Sequence, residues 1–238
     1  FEPPEETAET IVVRNALLWD GQTEKTTQLL IRAGEIICVG NACAPESEVK
    51  IVDAKGMAAL PGLIDLNVQY YAPSAESREL SAFKQLTEYV RQRPSVRKNF
   101  IKAGVTGIRC LGDIPSNIAQ LQTQVEEHEL AGPKVYPAAA LITAPGGFPI
   151  QSLYQGNEMM VENAVFQVAE ATAMEEAVVG ILDKGSSGVK FVFFGDDDKL
   201  TRLDRALFVS GVQMALKRGA WVHVYAGTNE EVRQAAQL

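Results

Sequence analysis

Two histidines, His128 and His223, are all that 238 residues contain, and that scarcity removes support for a serine or cysteine triad. No Gly-x-Ser-x-Gly elbow occurs either. Cysteine is nearly as rare: Cys38, Cys43 and Cys110 cannot all pair within one chain, and none stands in a Cys-x-x-Cys arrangement. Strand-like surroundings make buried free thiols the expectation, ahead of a redox or metal role. No apolar run reaches the roughly 18 to 20 residues of a membrane helix. There is no long basic run, and the formal net charge is −8, so neither nucleic acid nor an anionic membrane is expected as a partner. The glycine pairs Gly146-Gly147 and Gly104-x-x-Gly107 do not complete a dinucleotide fingerprint, and Asp196-Asp197-Asp198 lacks the glycine and glutamate of a calcium loop. These read as turns and a solvated loop.

What is present is the composition of an ordinary folded chain, with 46% apolar and 7% aromatic residues and no internal repeat or low-complexity tract. The acidic stretch from Glu2 to Glu9, with Pro3 and Pro4, reads as a solvated leader. A start at Phe1 rather than methionine leaves two readings open, a removed export leader or a numbering that begins partway along. The protein is expected to be soluble, with its compartment unknown.

The first 60 residues are β-rich. Ile11 to Trp19, Gln28 to Arg32, Glu35 to Gly40 and Val49 to Asp53 form short strands, separated by Asp20-Gly21, Ala33-Gly34 and Gly40-Asn41, and are expected to be hairpins. From residue 61 onward, strands alternate with helices, which predicts parallel strands with crossover helices. Helices are expected over 78–103, interrupted at Arg93-Pro94, and over 115–130, 161–184, 200–218 and from 229 onward. Ala164, Val168, Ala171, Met174 and Val178 recur at helical spacing in the third of these. Leu203, Ala206, Leu207, Ser210, Gly211 and Met214 are the expected inner face of the fourth. Strands are expected over 105–111, 133–140, 187–195 and 220–225, with a long irregular stretch from Leu141 to Asn157.

The stretch that organises the whole is Leu60-Pro61-Gly62-Leu63-Ile64-Asp65-Leu66-Asn67-Val68-Gln69. A proline–glycine turn feeds an apolar run whose end alternates, so Asn67 and Gln69 should leave one face of a strand and Val68 the other. This run resembles the first barrel strand of the metal-dependent amidohydrolase superfamily, close to its imidazolonepropionase- and prolidase-like members, where Pro-Gly-hydrophobic-hydrophobic-Asp precedes His-x-His. Gly104-Val105-Thr106-Gly107-Ile108-Arg109-Cys110-Leu111-Gly112-Asp113 is similar to the second. The β-rich start likewise resembles the small sandwich preceding that barrel.

The resemblance implies an α/β fold. Residues 1–60 would be a leader and a β-sandwich portion, and residues 61–238 about five of the eight repeats of a (β/α) TIM-type barrel. It also implies a hydrolase of C–N bonds other than peptide bonds, in which metal-bound water attacks an amide, ester or ring bond. Lys190 stands at the bridging-lysine position and His223 at the strand-five histidine. Asn67 and Gln69 occupy the strand-one ligand positions, where neutral carboxamides are poor substitutes for imidazole. Phe148 stands where relatives often carry a histidine after two glycines.

No catalytic residue is therefore assigned. No cofactor is expected in the isolated chain, the alternative being zinc or another divalent metal. Lys190, within a run of Val and Phe, must be desolvated and paired, with Asp65 as one neighbour; His223, on its strand alone, reads as a hydrogen-bonded core histidine. The alternative function is a non-catalytic binding or regulatory subunit. Expected partners are further polypeptide completing the barrel or a second copy of the chain, besides a small-molecule ligand.

Overall fold

A computed structural model describes residues 10–19, 21–43, 49–71, 82–138, 140–154, 157–195 and 200–238. The expectations for Glu2 to Glu9 and for Asp196 to Asp198 fall outside these residues. The fold is mixed α/β and divides into two compact units, Glu2–Gly62 and Leu63–Leu238.

The first unit is a five-stranded sheet built from β1 (Thr10–Trp19), β2 (Glu24–Arg32), β3 (Glu35–Val39), β4 (Lys50–Asp53) and β5 (Ala58–Ala59). Strands β1, β2 and β3 pair antiparallel in chain order. Ala33 and Gly34 both take positive φ between β2 and β3, the backbone of a two-residue hairpin turn. The hairpin expectation fails at β4, which lies parallel to β1, as does β5. Val12, Leu30 and Cys43 form the buried centre.

Cys38 and Cys43 are joined by a disulfide, with Cα atoms 5.9 Å apart, which corrects the expectation of free thiols. The turn in which the Cys43 N–H donates to the Gly40 carbonyl doubles the chain back and brings the sulfurs together. Cys110 is free and buried.

The second unit alternates strand and helix. In order come β6 (Leu63–Val68), α1 (Ala82–Lys102), β7 (Val105–Leu111), α2 (Pro115–Glu126), β8 (Lys134–Ala138), β9 (Leu141–Thr143), α3 (Glu158–Ala164), β10 (Val165–Gln167), α4 (Ala171–Asp183), β11 (Gly188–Val192), α5 (Arg205–Lys217), β12 (Trp221–Tyr225) and α6 (Asn229–Ala235). All strand pairs are parallel, in the orders β6-β7-β8 and β10-β9-β11-β12. The two sheets meet where the N–H and hydroxyl of Ser187 both donate to the Pro137 carbonyl, each at 2.9 Å. Strands β8 and β9 thus run past the same neighbour, β11, one after the other.

Several elements differ from those expected. Helix α1 continues through Pro94. Proline inside a helix costs about 3 kcal/mol, but Val96 and Phe100 on the same helix pack against the buried cluster that holds Ile108, Ile118 and Val135, and that burial offsets it. The helix expected over 161–184 is broken by β10, because Val165, Phe166 and Gln167 find a parallel partner in Leu141, Ile142 and Thr143. Those partners lie in the stretch expected to be irregular. On α5 the buried face is Phe208, Gly211, Val212 and Ala215, whereas Ala206 and Ser210 are exposed.

The larger core packs Met174, Val178 and Ile181 of α4 and Phe208 and Val212 of α5 against Ile142, Val189 and Phe191. The ring of Phe208 stacks on Phe193, with centroids 4.3 Å apart. Each such ring, fully buried, contributes about 2 kcal/mol or more.

Candidate functional site

Strand parity fixes which side chains share a face. Ile108 and Cys110 of β7 belong to the core packed with α1 and α2, so Arg109 leaves β7 on the opposite face. Val189 and Phe191 of β11, with Val222 and Val224 of β12, pack into the α4–α5 core, which sends Lys190, Trp221, His223 and Tyr225 to the opposite face. Lys190 and His223 are register partners across β11 and β12. Neighbouring positions in a parallel ladder point the same way, so the two stand side by side.

Around them the face is aromatic and cationic. The guanidinium of Arg109 lies 3.9 Å from the centroid of the Trp221 ring, whose indole N–H donates to the Ser187 hydroxyl at 3.1 Å. Lys190 Nζ lies 5.9 Å from the Tyr225 centroid. Phe148 stacks on Tyr225 at 4.8 Å, nearly coplanar. Gly188 is required beneath Trp221, since a β-carbon there would come within 2.2 Å of the indole ring.

Lys190 is 2% exposed. Burial lowers its pKa from the ordinary lysine value to about 8, against the opposing pull of Asp113. His223 is also less basic than usual, first through burial and then through the positive charges of Lys190 and Arg109.

The carboxylate that acts on Lys190 is Asp113, not Asp65. Asp65 is exposed and accepts the Asn67 N–H at 3.0 Å. Asp113, in the turn after β7, is wholly buried and accepts the N–H groups of Tyr70 and Tyr71 at 3.0 and 2.7 Å. Burial raises its pKa to about 7, opposed by those two hydrogen bonds and by Lys190. The hydroxyl of buried Tyr154 donates to the Gly112 carbonyl beside it. The signal for Asp113 was a glycine–aspartate pair at the C-terminal end of a parallel strand, where active sites of such sheets collect.

At the end of β6, Asn67 is exposed, Val68 buried and Gln69 half-buried. Gln69 Nε2 lies 3.4 Å from where a β-carbon on Gly112 would stand, which puts its amide beside the turn that carries Asp113. Among the described residues, no three of His, Cys, Asp and Glu come together as a metal-binding group.

The fold is similar to that of solved amidohydrolase and dipeptidase structures. An amidohydrolase crystal structure matches with a TM-score of 0.75 at 21% identity, over 96% of this chain and 59% of the other. A Xaa-Pro dipeptidase with methionine bound in its active site matches with a TM-score of 0.74 at 19% identity, over 96% and 59% of the two chains. In sequence, the dihydroorotase of Bacillus pumilus (strain SAFR-032) is 25% identical over 213 residues. That alignment takes in 89% of this chain and 44% of the dihydroorotase, so the chain spans less than half the length of that relative. No family model matches.

Proposed function

We propose that this is an amidohydrolase-family protein, related to metal-dependent hydrolases of C–N bonds other than peptide bonds, whose residues in this chain do not make up a complete metal centre. The observation that carries the reading is the pairing of Lys190 with His223 across β11 and β12, at the two ligand positions implied by the family resemblance. The relatives named above support the hydrolase class. Under this reading the second unit is part of a (β/α) barrel and the first part of a β-sandwich. The Ser187–Pro137 hydrogen bonds, which bring β8 against β11, favour such closure.

A divalent cation does not suit the residues present. Imidazole and carboxylate are the ligands that zinc selects, yet the strand-one positions offer the carboxamides of Asn67 and Gln69. Two cations, Lys190 and Arg109, act on the one histidine. A second reading, a non-catalytic binding or regulatory subunit, draws on the same charges and on Phe148, which places an apolar ring over Tyr225.

Partner polypeptide is part of the proposal as well. Strand β6 ends its sheet, and its Leu63, Ile64 and Leu66 are all more than half exposed, the kind of edge that natural sheets pair or cover. Metal analysis of the full-length protein tests the central reading. Zinc well below one equivalent per chain, with no hydrolysis of amides, is expected. One tightly held transition metal per chain, lost in His223→Ala, would overturn it.

A further inference from the structure

Resting on the reading that no divalent metal is held here, the same face has a different use. Lys190 is almost fully buried, and its ammonium makes no hydrogen bond or salt bridge with any described residue. Arg109 Nε is buried and has no hydrogen-bond partner, and among the described residues Arg109 enters no salt bridge. Asp113 is the carboxylate that opposes Lys190, but its oxygens are already engaged by the Tyr70 and Tyr71 N–H groups. Desolvating a charge that no side chain bonds is unfavourable, and Lys190 and Arg109 both act on His223. What this arrangement calls for is negative charge.

We infer that the face formed by Arg109, Lys190 and His223 binds a small oxyanion, the carboxylate or phosphate group of a small molecule, in place of a metal cation. Lys190 supplies a compact charge with three donors, and Arg109 supplies a planar fork suited to two oxygens at once. Stacking of Arg109 on Trp221 at 3.9 Å holds that fork in one plane, and Gly188 keeps the space beneath the indole clear. His223, flanked by both cations, adds a ring N–H that can donate to the same oxygens. The partly buried rings of Trp221, beside Arg109, and Tyr225, beside Lys190, add aromatic surface next to the two charges. The carboxamides of Asn67 and Gln69 bring no negative charge to oppose an anion.

The test is calorimetric titration of the full-length protein with inorganic phosphate, with acetate and with zinc chloride, each at matched ionic strength and accompanied by thermal unfolding. Saturable binding of phosphate or acetate with a rise in Tm is expected, weakened at least tenfold in Lys190→Gln and in Arg109→Gln and unchanged in Lys184→Gln on the exposed end of α4. Saturation by phosphate alone identifies a phosphate-bearing ligand, and saturation by acetate a carboxylate. Circular dichroism identifies a variant that fails to fold, and the other then carries the comparison. Binding of equal strength in the folded Lys190→Gln and Arg109→Gln proteins overturns the inference. Absence of saturable anion binding with no zinc bound overturns it while leaving the proposed function standing. Stoichiometric zinc, lost in His223→Ala, overturns both.

Discussion

The carboxylate of Asp113 accepts the Tyr71 N–H at 2.7 Å and so ties the chain leaving β6 to the turn leaving β7. Tyr70 adds a second N–H to the same carboxylate. Removing it strands two buried donors, and hydrogen bonds to charged groups are worth about 1.5–3 kcal/mol each. Asp113→Ala is expected to destabilise the protein by about 3 kcal/mol, and Asp113→Asn by less, since its amide oxygen still accepts. Urea unfolding of the two variants checks the order.

Two helical glycines should respond in opposite directions. A β-carbon on Gly180, within α4, meets nothing within 4 Å, whereas one on Gly211, within α5, would lie 2.6 Å from Met174 Sδ and 2.7 Å from Phe191 Cε1. Gly180→Ala is expected to stabilise by about 0.5–1 kcal/mol. Gly211→Ala is expected to cost about 1–3 kcal/mol through overpacking. Thermal unfolding that ranks them the other way would refute this account of the α4–α5 contact.

The strand–helix rhythm was legible because turn chemistry punctuates it. Strand β7 has the bounds read from sequence, set by Gly104 and Gly112, which both take positive φ. Strand β10 was hidden because Ala164 before it and Val168, Met174 and Val178 after it keep a helical spacing across the break, and only its pairing with β9 selects extended backbone. Pro94 misled in the other direction, since local preference for a break lost to the tertiary burial of its helix. At the site, Lys190 and His223 could be read from their strands, but the carboxylate whose charge acts on Lys190 could not. Asp65 lies within β6 and Asp113 two residues beyond β7, each beside a parallel strand. Only the turn after β7 decides which carboxylate is buried.

The cysteine pair offers a covalent check. Cys38 and Cys110 in separate strand-like runs gave no reason to join Cys38 to Cys43, yet a turn at Gly40 brings them together. Peptide mapping under non-reducing conditions is expected to recover the two segments linked, with the Cys110 thiol protected from alkylation until the protein unfolds. Cys43→Ser should lower stability by about 2 kcal/mol, the loop-closure entropy of so short a loop.

Burial moves the pKa values of Asp113 and Lys190 toward each other, and stability should record it. Asp113 is raised from 3.8 to about 7, so between those values the folded state holds a proton that the unfolded state has released. Its contribution therefore falls as pH rises from about 4 to about 7. Lys190 is lowered from 10.5 to about 8, so above about 8 the unfolded chain binds the extra proton and the contribution climbs again toward 10.5. Together they place a minimum near pH 7–8 on the stability profile. Asp113→Asn should remove the acid limb of that minimum and Lys190→Met the alkaline limb, while the other limb persists in each variant. Unfolding free energies of both variants between pH 4 and 10 check this, and a profile unchanged by either substitution would mean that the two groups titrate as they do in the unfolded chain.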